Sequence, residues 1–169
     1  FTLNGSNLDV FKAVSIVTSG TKISVSPDSI RRVMKSRKLV ERWIDDGEIV
    51  YGINTGFGEF KDVVISKEQT KDLQRNLIIS HSAGVGKIIE DDIARLMILF
   101  RINSLIKGFS GVRVELIDFL VKFFNKGLVP VIPEQGSVGC SGDLAPLAHL
   151  ASTFIGEGFV KKGNRIIKS

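Results

Sequence analysis

Residues that could do chemistry concentrate in two short runs, Gly139-Cys140-Ser141-Gly142-Asp143 and Tyr51 with the glycine-rich stretch Gly52 to Gly58. The first run is not a hydrolase nucleophile elbow: that turn needs Gly-x-Ser-x-Gly, and Asp143 stands where the last glycine belongs. A Cys140 nucleophile served by His149 is conceivable, but one such pair in a chain with two histidines is weak support. A third chemistry suits the residue types better. The Gly142 nitrogen can attack the carbonyl carbon of residue 140 and close a ring, with one water lost from the ring and another from the Ser141 side chain. A methylidene conjugated to an imidazolone remains. Ser141 supplies the hydroxyl that leaves, and Gly142 an unhindered nitrogen in a compressed turn. Position 140 supplies only its carbonyl. Spacing alone does not choose this chemistry over a plain loop that starts a helix. The run at 52–58 lacks the wide glycine spacing and the following Lys and Ser/Thr of a phosphate cradle, and Glu59 would repel a phosphate. It reads as a tight turn.

The elements that must position these runs are mostly helical, with minor β structure. Ser6-Asn7 can cap a short helix burying Leu8, Phe11, Val14 and Val17, and the alternating stretch Thr21 to Val25 reads as a strand. Ser26-Pro27 starts a helix that runs to about Asp46 and stops at Gly47. Ile49 to Thr55 reads as extended, which makes Tyr51 a half-buried strand tyrosine. Ser66-Lys67-Glu68-Gln69 has the form of a capping box, opening a helix through Leu73 and Leu77 with His81 near its end. Asp91-Asp92 favour a helix start ahead of Ile93, Leu96, Met97 and Phe100. A further helix carries Leu116, Ile117, Leu120, Val121 and Phe124 and ends at Asn125-Lys126-Gly127. Residues 129–143 read as loop, punctuated by proline and glycine. A last helix holds Leu147, Ala148, Ala151, Phe154 and Ile155, and 160–166 reads as β structure.

With 169 residues, 43% of them hydrophobic, and eleven Phe against four Pro, the chain can bury a core within one domain, 1–169. The net charge of +5 is a mild excess of 23 basic over 18 acidic residues. Its one cluster, Arg31, Arg32, Lys35, Lys38 and Arg42, falls mostly on one helical face, opposite Ile30, Val33, Val40 and Ile44. That is a solvated helix face rather than a nucleic-acid site. A single cysteine excludes an intrachain disulfide and a cysteine metal cluster, so neither a metal nor a nucleotide cofactor is expected. The N-terminus has no signal-peptide pattern and no stretch reaches the length of a membrane span, so a cytoplasmic chain without membrane contact is expected. Without a secretion signal, the sequon Asn4-Gly5-Ser6 reads as chance.

Five blocks in order resemble the aromatic amino acid lyase family: Tyr51 to Gly58, Asn76 to Gly86, Arg101 to Leu105, Gly108 to Arg113, and Gly136 to His149. The resemblance covers about Tyr51 to Gly158 and is nearest to the branch that eliminates ammonia from L-histidine to give urocanate. It implies that Cys140, Ser141 and Gly142 form a methylideneimidazolone, the electrophile that captures the substrate amino group. It also implies that Tyr51 is the base removing a proton from the substrate β-carbon. Asp143 orients or compresses the loop. His81 matches the position that distinguishes histidine- and tyrosine-handling members, and the pair Ser80-His81 favours histidine. The family usually has Ala where this chain has Cys140. By the ring-closure argument only the carbonyl of 140 reacts, so the substitution is tolerated.

Family members are longer, and their substrate-carboxylate arginine, further tyrosine and glutamine groups and long helical bundle lie downstream of position 169. Their sites also draw on the other subunits of a homotetramer. The resemblance therefore implies the N-terminal active-site domain of the fold without the downstream bundle, a piece expected to be inactive alone and to self-associate. Two other functions are weighed against histidine elimination. A tyrosine ammonia-lyase or aminomutase would share the loop and the cofactor. A non-catalytic basic helical binding module would not explain the five blocks.

Overall fold

The structure, a computed structural model, describes residues 1–55, 67–136, 138–139, 142–163 and 165–169; the side chains of 67–70, 138–139 and 142–143 also fall outside the description. The described chain is mainly helical with short strands, as its composition and periodicity predict. The run 56–58 and Ser66 of the expected capping box lie outside the described residues.

Strand β1 (Thr2–Leu3) pairs in parallel with β2 (Ser24–Val25), and helix α1 (Val10–Thr18) lies between them in sequence. Asp9, not Ser6-Asn7, caps α1, its carboxylate accepting the Lys12 amide at 2.8 Å. That hydrogen bond holds the Asp9 carboxyl below the usual carboxylate range. With the helix starting after Asp9, the buried face is Ala13, Ile16 and Val17, whereas Phe11 is 88% exposed. Of the expected face, Val17 is buried and Leu8 packs against the core, whereas Phe11 and Val14 are exposed.

Only Ser24–Val25 of the expected strand over Thr21 to Val25 is a strand, and the reason lies far along the chain. The Asn125 carboxamide accepts the Ile23 amide at 2.9 Å and donates to the Ile23 carbonyl at 2.8 Å, replacing a neighbouring strand. Both contacts are partly buried, and removing one partner leaves polar groups without a bond. Asn125→Ala should therefore lower stability by about 2 kcal/mol, read as a drop in the urea midpoint at constant slope.

Helix α2 (Pro27–Asp45) has the expected bounds, with the Ser26 hydroxyl accepting the Ser29 amide and Gly47 just past the cap. The cluster Arg31, Arg32, Lys35, Lys38 and Arg42 is exposed, with Arg31 paired to Asp28 and Arg32 bonded to the Asn4 carbonyl and the Ser29 hydroxyl, while Val33 is buried.

Helices α3 (Lys67–His81), α4 (Asp91–Leu105) and α5 (Val114–Asn125) follow, with β3 (Val85–Ile88) between α3 and α4. The core centres on α4 and α5 through Ile98, Leu99 and Ile102 against Ile117, Leu120 and Phe124, each worth about 1.5–3 kcal/mol when buried. On α4 the buried face also includes Ala94 and Leu105, and the expected apolar residues Ile93 and Phe100 are exposed. Leu96 and Met97 pack at the margin of the core.

The expected loop at 129–143 instead contains four short strands: β4 (Val129–Pro130), β5 (Pro133–Gln135), β6 (Val138–Gly139) and β7 (Gly142–Asp143). Their partners are distant or local in turn: β5 pairs antiparallel with β3, and β6 with β7. Helix α6 (Ala145–Ser152) follows, and Phe154 just beyond it meets Phe119 and Phe123 edge-on, with centroids at 5.3 and 5.4 Å. The chain closes in the hairpin β8 (Phe159–Lys162) and β9 (Arg165–Lys168), which joins β4 in a three-stranded sheet.

Candidate active site

Tyr51 stands in a turn, not in an extended strand. The Ile53 and Asn54 amides both donate to the Val50 carbonyl, and Gly52 takes φ +77°, a region open to glycine. The Asn54 side chain closes the turn: its oxygen accepts the Val50 amide at 2.8 Å and its nitrogen donates to the Glu48 carbonyl at 2.6 Å. Four residues cannot extend while one side chain holds both ends, so the β-rich composition of Ile49 to Thr55 is overridden. The turn leaves Tyr51 62% exposed and Thr55 buried. Asn54 is thus a shaping residue that reading for strands missed. Its signal was an Asn between Gly52 and Gly56, residue types that favour a turn.

His81 is the last residue of α3 and is half-buried. Its Nδ1 lies 2.8 Å from the Leu77 carbonyl and 3.2 Å from the Ser80 hydroxyl. A carbonyl only accepts, so Nδ1 carries the proton in this contact, and Nε2 of the neutral ring is left as the acceptor.

The β6–β7 ladder pairs Val138 with Asp143 and Gly139 with Gly142. Cys140 and Ser141 are the two residues between the paired ends and lie outside the described residues. The register sets Gly139 beside Gly142, and glycine at 142 offers an unhindered nitrogen next to the Ser141 hydroxyl in sequence, so the residues present fit the ring-closing chemistry. Asp143, paired through its backbone with Val138, is two residues before α6.

Of the expected site residues, the structure ties His81 and the hairpin to the same assembly. Helix α3 packs on α6, and the chain leaving His81 enters β3, whose partner β5 leads into β6. A second tie runs from the Gly84 amide to His149 Nε2 at 2.9 Å. Between the Tyr51 turn and α3 stand residues 56–66, which lie outside the described residues. His149, weighed above only as a partner for a Cys140 nucleophile, has its Nε2 engaged with a backbone amide. Among the described residues no group of three or more His, Cys, Asp or Glu could hold a metal ion, and no helix is long and apolar enough to cross a membrane.

Comparison with known proteins gives a consistent outcome. The model of the family described as aromatic amino acid lyase matches residues 8–169. The histidine ammonia-lyase of Bacillus subtilis is 52% identical over 159 residues, which is 94% of this chain and 31% of that protein. The crystal structure of histidine ammonia-lyase from Trypanosoma cruzi matches with TM-score 0.89 and 39% identity, over 99% of this chain and 32% of that one. A tyrosine aminomutase from Streptomyces globisporus matches with TM-score 0.90 and 38% identity, over 99% of this chain and 31% of that one. The chain spans about a third of the length of the curated relatives it matches.

Proposed function

The chain belongs to the aromatic amino acid lyase family, and on that premise we propose that it carries the N-terminal part of the site of an enzyme that eliminates ammonia from L-histidine to give urocanate. The observation that carries the reading is the glycine-paired hairpin around Cys140-Ser141 in a chain about half identical to histidine ammonia-lyases. When formed, the methylideneimidazolone of Cys140, Ser141 and Gly142 supplies an electrophilic carbon toward which the substrate amino group is drawn. The chain's own side chains do the rest. The Tyr51 oxygen takes the proton from the substrate β-carbon. His81 meets the substrate side chain, with Nε2 the ring atom left to accept a hydrogen bond from it. Asp143 holds the hairpin at the start of α6.

The homotetramer implied by the family belongs to the same proposal, as does the reading of 1–169 as one domain that is inactive by itself. Phe11 and Phe109 are each 88% exposed. Phe123 and Phe124 are in the core. A second reading, action on tyrosine, draws on the equal likeness to the tyrosine aminomutase. The test is to supply the full-length protein with histidine and with tyrosine and follow the product. Urocanate is expected from histidine, and tyrosine turnover without histidine turnover would reverse the assignment.

A further inference from the structure

We infer that His149 is a positioning residue: by accepting the Gly84 amide, it fixes the chain leaving His81 against the helix that follows Cys140-Ser141-Gly142, so that the substrate side and the cofactor side of the site keep one separation. The inference deepens the proposed function and rests on it for the roles of those residues.

Four observations support it. The contact joins residues 65 apart in sequence and adds a directional bond, three residues after His81, to the packing of α3 on α6. The β3–β5 ladder does not do the same work, because its register is irregular between Val85 and Ile88 and it begins only beyond Gly84. The approach is close enough to need glycine: a Cβ on Gly84 would lie 2.9 Å from His149 Nε2 and 3.2 Å from the Pro133 Cβ. Finally, accepting an N–H requires an unprotonated Nε2, and burial pushes the His149 imidazole below its ordinary value, in the direction of that form. Position 149 lies on the second turn of α6, a short helix that starts two residues after Asp143, so the imidazole reports the placement of the hairpin to the end of α3. A cavity of about 250 Å³, lined by Ile79, Ser82 and Ser152 among others, borders the imidazole and gives the α3 end room to shift once the tie is cut.

Three variants of the full-length protein test this. His149→Leu keeps the bulk and removes the acceptor, Gly84→Ala pushes the ring away, and His149→Gln offers an oxygen at similar reach. The Leu and Ala variants should raise KM for histidine about tenfold, as expected when a partly buried amide loses its partner. Their kcat should stay within about threefold of the parent value, because the reacting groups are untouched. All three should retain a mass lower than the sequence mass by two waters, and the Gln variant should keep KM within about threefold of the parent. A Leu variant with parental KM and only a lower Tm would reduce His149 to packing and overturn the inference. Equal KM increases in the Gln and Leu variants would overturn it as well, and if the Leu variant does not fold, Gln against Gly84→Ala decides by the same comparison. Hydrogen exchange at the Gly84 amide separates this inference from the functional reading. Slow exchange in the parent and the Gln variant with fast exchange in the Leu or Gly84→Ala variant establishes the tie even if the parent neither loses two waters nor consumes histidine. In that case the functional reading fails alone, and the KM comparison moves to the amino acid that is consumed.

Discussion

Replacing Ser141 with Ala in the full-length protein should abolish turnover of histidine, by a factor on the order of a thousand or more, the scale on which loss of a covalent catalytic group is felt. The methylidene carbon can arise only from the Ser141 side chain, because its formation is the loss of that hydroxyl with a proton from the α-carbon. Alanine offers no leaving group. Ring closure by Gly142 on the carbonyl of 140 remains available to the variant, so its mass should fall by at most one water, where the parent falls by two. The fold should persist: the substitution removes one oxygen between the paired residues Gly139 and Gly142 and leaves the core on α4 and α5 alone. Intact mass and turnover, measured on the same preparation, check both statements. Turnover near the parental rate would mean that another electrophile is used. So would a parental mass that equals the sequence mass.

How far the sequence allowed this site to be read depends on how local each determinant is. Helix α2 was legible at both ends because Ser26-Pro27 and Gly47 act on their immediate neighbours. The strand over Thr21 to Val25 was not, because the group that satisfies Ile23 is a carboxamide 102 residues away. Strands β4 and β5 were hidden for the same reason, since their partners are β8 and β3; the local β6–β7 pair was hidden by the glycine content of 136–142. At the site, the residue types Tyr51, His81, Cys140, Ser141, Gly142 and Asp143 were named from motif and chemistry. The conformation of the Tyr51 turn was misread because Asn54 competes locally with the β preference of its neighbours. His149 was legible only as a histidine. Its partner is a backbone amide, and backbone amides carry no signature in a sequence.

Tyr51→Phe is the substitution that separates forming the electrophile from using it. The variant should lose about 10²- to 10⁴-fold in kcat, the range attributed to a positioned general base, while its mass still falls below the sequence mass by two waters. Every atom of the ring comes from residues 140–142, so the two waters can be lost without any atom of Tyr51. The turn is held by the Asn54 carboxamide and by backbone bonds to Val50, and phenylalanine keeps the ring and the volume, so the presentation of position 51 should survive. What disappears is one oxygen that can take a proton. If that oxygen removes the β-proton, the loss appears in kcat, and substitution of deuterium for that hydrogen should slow the variant's residual turnover. Near-parental kcat with the two waters gone would place the base elsewhere. Undiminished mass would place Tyr51 in the maturation of the loop instead, and the division of labour proposed between the turn and the hairpin would be wrong.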